Sequence, residues 1–206
     1  MNKMTFYEQV GILIPGSVLL LGLMLYFPSL KVLTSKDTVS IGELGLFVLI
    51  AYAAGHFIAA VGNALESVFW RLCGGMPSDW VVSEKPCLLS PAQIEQLRSK
   101  IGSRLNIAFE KLPGLDRKTW WPISRQIYAD VAKNGRPDRI DTFNGNYGLN
   151  RGLSSACLVL ALVAATYQEV HAAVGLAIAG LVFGYRMYRF GVHYARELYL
   201  QFLVLA

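Results

Sequence analysis

The stretch AYAAGHFIAAVGNALESVFWR, residues 51–71, has the length and apolarity of a membrane-crossing helix, yet it carries His56, Asn63 and Glu66. At 100° per residue, Tyr52, His56, Ala59, Asn63, Glu66 and Ser67 fall within an arc of roughly 100°, so on a helix their polar groups form one stripe. Facing hydrocarbon, such a stripe is costly, and the expected orientation is toward other helices or toward water. Tyr52, His56, Asn63 and Glu66 are therefore the candidate pore or interface residues. Glu66, nearest the end of the segment, is placed to act as a mouth that attracts cations.

The remainder of the chain agrees with a membrane class. Its 206 residues are 54% hydrophobic with mean hydropathy +0.41, and 16% are charged, against roughly 25% in soluble domains. Four apolar segments can be marked: Val10 to Phe27, about Leu44 to Trp70, GLSSACLVLALVAATYQ between Arg151 and Glu169, and AAVGLAIAGLVFGY between His171 and Arg186. The first carries one early lysine, Lys3, and no small-residue cleavage pattern follows it, so it reads as a retained span. The last two hold only seventeen and fourteen residues. They must thin the bilayer, snorkel Arg186 or sit inside an oligomer, and a re-entrant hairpin is the alternative. The expected fold is an all-α membrane protein with four transmembrane helices and a small helical cytoplasmic module between the second and third. By residue, 1–71 form a first transmembrane hairpin, 72–150 the module, and 151–206 a second hairpin ending in a basic amphipathic helix.

Orientation follows from the basic residues. Seventeen of the nineteen lysines and arginines fall on one inferred side, and two (Lys31, Lys36) on the other. The positive-inside rule then puts both termini and the central segment in the cytoplasm. Within that segment SPAQIEQLRSKIGSRL reads as a helix capped by Ser90, with Pro91 first and Ile94, Leu97, Ile101 and Leu105 on one face. A second helix is expected in WWPISRQIYADVAKN, ending before Gly135, and Pro137 is placed to start a third that continues into the next span. From Arg71 to Asn150 the chain carries net charge +4 from twelve basic and eight acidic residues. Arg98, Lys100 and Arg104 are its candidate contacts for an anionic ligand or partner.

Catalytic chemistry is hard to find. Cys73, Cys87 and Cys157 form no CxxC pair, and His56, His171 and His193 lack metal-ligand spacing, so no metal and no cofactor are expected. Phosphate-binding, nucleophile-elbow and zinc-protease motifs are absent, and no enzyme is expected. RMYRFGVHYARE does resemble the R-x(4-6)-H motif of HEPN ribonucleases through Arg186 and His193. Met187 departs from the polar residue such sites show, and the helix adjoins a span. Arg186, Arg189, His193 and Arg196 also lie within about 80° on a helix, a basic contact face of the kind that meets an anionic membrane surface. Small residues at Ala51, Gly55 and Ala59, and at Gly180 and Gly184, allow close helix approach, within one subunit or between subunits.

FYEQVGILIPG, GHFIAAVGN and NYGLNRGL together are similar to stretches of small multi-pass inner-membrane proteins of bacterial anti-phage defence systems. The resemblance covers about thirty residues. It implies a homo-oligomeric effector in the bacterial inner membrane, signalled by a soluble cytoplasmic partner protein or an anionic, nucleotide-type signal molecule. Membrane lipids are the other expected partners, and direct nucleic-acid binding is not expected. The expected function is an oligomer that conducts ions or perturbs the membrane under control of its cytoplasmic module. The alternatives are a membrane anchor or scaffold that recruits a soluble partner, and a membrane-surface enzyme.

Overall fold

The computed structural model describes residues 6–33 and 41–205; Lys3 and Lys36, two of the residues used for orientation, lie outside them. Six α-helices make up most of the described chain: α1 (Phe6–Tyr26), α2 (Ile41–Leu72), α3 (Pro91–Leu105), α4 (Arg117–Asn134), α5 (Asp138–Thr166) and α6 (Val170–Val204). Short 3₁₀ helices occupy Pro28–Leu33 and Pro77–Asp79, and no strand is present among the described residues. Two compact units result, Met1–Val68 with Gly145–Tyr188, and Phe69–Asn144 with Arg189–Ala206.

Among the described residues three helices, not four, are long and apolar enough to cross a membrane: α2, α5 and α6. The apolar part of α1, Val10–Tyr26, is shorter. The two segments expected to be short lie within helices of 29 and 35 residues, because the helical backbone continues past the charges that bounded them in sequence. Pro137 immediately precedes α5, which runs without a break from the central segment into its apolar stretch, as expected.

In the first unit α5 touches each of the other helices. A Cβ on Gly152 would lie 2.6 Å from Pro15, and one on Gly22 would collide with the Leu160 side chain. These pairs advance together along both chains, so α1 and α5 run parallel. Ser154 opposes Gly180 and Gly184, and Asn150 opposes Arg186, so α6 runs antiparallel to α5. Where α1 crosses α2, backbone meets backbone. A Cβ on Gly16 would strike the Ala51 carbonyl, and one on Gly55 the Ile12 carbonyl. The small residues Ala51 and Gly55, and likewise Gly180 and Gly184, are thus taken up by packing within the chain. Leu19, Ile58, Ala156 and Leu160 fill the space they leave.

The second unit has a hydrophobic core of its own. α3 begins with Ser90 as N-cap, whose Oγ accepts from Gln93 N while Ser90 N donates to Gln93 Oε1, and it buries Ile94, Leu97 and Ile101. Asp116 caps α4, which starts three residues before the expected Trp120 and turns Trp120, Ile123, Ile127 and Val131 inward. Residues 189–206 belong to this unit, contrary to the expected division, because Ala195, Leu198, Tyr199, Phe202 and Leu205 recur on one face of α6 and complete the same core. The carbonyl of Ser78 accepts from Trp120 Nε1 at 2.8 Å and Tyr199 Oη at 2.6 Å, which pins the loop after α2 to that core.

Candidate functional site

The first unit contains one ion pair that joins two apolar helices. Glu66, near the end of α2, accepts from Tyr147 Oη at 2.5 Å on one carboxylate oxygen and from the Arg151 guanidinium on the other. Arg151 also lies 6.0 Å from the centre of the Tyr147 ring. Its approach is possible because Gly62, one turn before Glu66, has no side chain; a Cβ there would lie 3.3 Å from Arg151 Cγ. Beside this pair, buried Asn150 donates to the Asn146 carbonyl at 2.7 Å and accepts from Arg186 Nε at 3.1 Å. A second charge is thereby tied to α5.

This polar group marks one end of the bundle. Tyr167 marks the other, with ring centroids 5.1 Å from Tyr26 and 6.0 Å from Phe27. Tyr167, just past the end of α5, is sixteen positions from Arg151, a rise of about 24 Å, close to a hydrocarbon thickness of about 30 Å. Paired charge at one boundary and clustered aromatics at the other are the arrangement a bilayer favours.

The four stripe residues do not act together. Gly55, Ile58 and Gly62 define the packed side of α2, and Glu66 lies at its margin, where it meets α5. Tyr52, His56 and Asn63 point farther round the helix and are exposed. The rings of Tyr52 and His56 meet edge to face, with centroids 4.7 Å apart. Glu66 therefore leaves the stripe. Its carboxylate is neutralised by Arg151, which corrects its expected role as a cation-attracting mouth.

The basic face of α6 is also divided. Arg186 serves Asn150 in the first unit. In the second, His193 stacks on Phe143 at 5.5 Å, while Arg189 and Arg196 are exposed. Arg186 and His193 of the nuclease-like motif thus have different partners. In the module, Arg98 pairs with Glu95 and donates to the Phe109 carbonyl at 2.9 Å, and Lys100 Nζ donates to the Leu205 carbonyl. Arg104 grips Asp130 through two bonds of 2.6 and 3.1 Å. That hydrogen-bonded guanidinium holds the Asp130 carboxyl below the usual carboxylate range. The expected anion-binding trio is instead occupied in holding the second unit together.

Sequence reading missed Tyr147, Asn150, Arg151 and Gly62. A signal was present: positions 147, 150 and 151 share one helical face at the start of an apolar run. The partner, Glu66, lies 85 residues from Arg151, and no local spacing connects them. The sequence matches no protein-family model, and neither curated proteins nor solved structures give a match.

Proposed function

We propose that the protein is an oligomeric effector of the bacterial inner membrane that conducts ions or perturbs the bilayer under control of its cytoplasmic unit, as the resemblance to anti-phage defence proteins implies. The observation that carries this reading is the exposure of His56 and Asn63 on α2. His56 lies near the middle of a helix of spanning length, where a polar side chain belongs against protein or water. Copies of the chain that meet along this face would cover it or enclose a wet path between them. α1 acts as a fourth span in this reading, since it runs parallel to α5 and its seventeen apolar residues reach about 25 Å. With both termini cytoplasmic, the Glu66–Arg151 pair stands at the cytoplasmic boundary.

The test is ion flux from liposomes containing the full chain. His56→Leu/Asn63→Leu should insert normally, because Leu is favoured at mid-membrane, and should change flux selectively. Glu66→Gln leaves Arg151 without its carboxylate, so it should lose stability by roughly 1.5–3 kcal/mol and alter flux by loosening the bundle. Equal flux from wild type and the Leu pair would remove the stripe from the mechanism. No flux from wild type would favour the anchor or scaffold.

A further inference from the structure

We infer that the outer face of α4 is a docking surface for anionic lipid headgroups, which holds the second unit against the membrane. Lys118, Trp121, Pro122, Arg125 and Ala129 are all exposed and lie within about 100° of one another on the side of α4 opposite Trp120, Ile123 and Ile127. Trp121 is 61% exposed, the Arg125 guanidinium lies 5.5 Å from its ring centre, and no acidic residue shares the arc. The nearest carboxylates on the helix have other duties: Asp116 caps its first turn and Asp130 holds Arg104.

Position argues for lipid as the occupant. The Arg117 guanidinium at the start of α4 donates to the carbonyl of Gly74, two residues beyond the last residue of α2. The chain can make this approach because Gly75 has φ +107° and a Cβ there would lie 2.6 Å from Arg117 Cζ. α4 is thus tethered at its N-terminus to the end of a helix of spanning length. Trp121 follows Arg117 by four residues, about one turn of α4, so the exposed face starts beside that tether, and the occupant it suits is a headgroup layer. Tryptophan beside lysine and arginine suits that layer, where the indole is half desolvated and the cations meet phosphate. This inference rests on the spanning helices alone and is independent of whether the protein conducts ions.

The experiment places the full-length protein in nanodiscs of phosphatidylcholine with or without phosphatidylglycerol. The emission of Trp121 is isolated as the difference between wild type and Trp121→Phe. Quenching of that difference signal by phospholipids brominated near the headgroup is expected. Lys118→Gln/Arg125→Gln should lower the preference for phosphatidylglycerol over phosphatidylcholine by about thirtyfold, the effect of two basic residues at an anionic surface, and high salt should lower it for wild type as well. Quenching by aqueous iodide without quenching by lipid would overturn the inference. Protection from both quenchers would also overturn it, because a protein surface would then cover α4.

Discussion

In the second unit the large core side chains Trp120, Tyr199 and Phe202 are fully buried, and Arg98, Lys100 and Arg104 each have a partner in the same unit. In the first, Phe57, Leu162 and Leu181 stand 62–70% exposed, and exposed polar groups at His56 and Asn63 share α2 with exposed leucines. The second unit closes a large-residue core of its own. The first buries its interior by backbone proximity at glycines and leaves apolar side chains and, on one face of α2, His56 and Asn63 exposed. One chain thus uses two rules for the same residue types. A basic residue in the second unit is a strut between local elements, while Arg151 in the first is tolerated because Glu66 and Tyr147 meet it at the end of the bundle.

The largest effect expected from this contrast is at the glycine crossing. Gly16→Val drives side-chain atoms into the backbone of α2, which cannot move aside as a flexible side chain would. The loss should reach or exceed about 3 kcal/mol, the upper part of the usual overpacking range. Gly175 of α6 has no heavy atom within 4 Å of a built Cβ, so Gly175→Ala should be neutral or gain up to about 1 kcal/mol. Thermal unfolding in detergent compares the two. Equal effects would mean that the first unit is not held by close backbone contact.

A smaller effect belongs to the second unit. Tyr128 Oη donates to Asp141 Oδ1 at 2.8 Å, and burial, followed by that bond, pushes the phenol up to about 12. The unfolded phenol ionises near 10. The stabilisation is therefore complete below pH 10 and is lost as pH rises through 12. Tyr128→Phe should cost about 1 kcal/mol at neutral pH and flatten this alkaline decline, as followed by unfolding and by tyrosinate absorbance. Smallest of all is Arg98→Gln, which removes an exposed pair one helical turn long and the bond to the Phe109 carbonyl, and should lower the unfolding midpoint by less than Tyr128→Phe does.

Local chemistry was legible in advance where sequence neighbours decide the outcome. Ser90 and Pro91 start α3, Gly135 follows α4, and Pro137 opens the helix that becomes a span. The C-terminal core residues were legible in principle, since Ala195, Leu198, Tyr199 and Phe202 follow helical spacing. The arginines on the opposite side of α6 drew the reading toward a membrane surface instead. Two features had no local signal. Which residues of the polar stripe turn inward depends on where α5 packs, and that placed Glu66 apart from His56 and Asn63. The short apolar part of α1 acquires its partner only through Gly16, Gly22 and Gly152, whose close approaches join distant parts of the chain.

The central claim is that the exposed polar face of α2 meets another copy of the chain within the membrane. A photoreactive residue at position 56, with Leu181 as the control site on an exposed apolar face, tests it in intact membranes. The account predicts a cross-linked dimer from position 56, with adjacent copies joined near His56 and Asn63, and lipid adducts from position 181. Lipid adducts alone from both positions would contradict it.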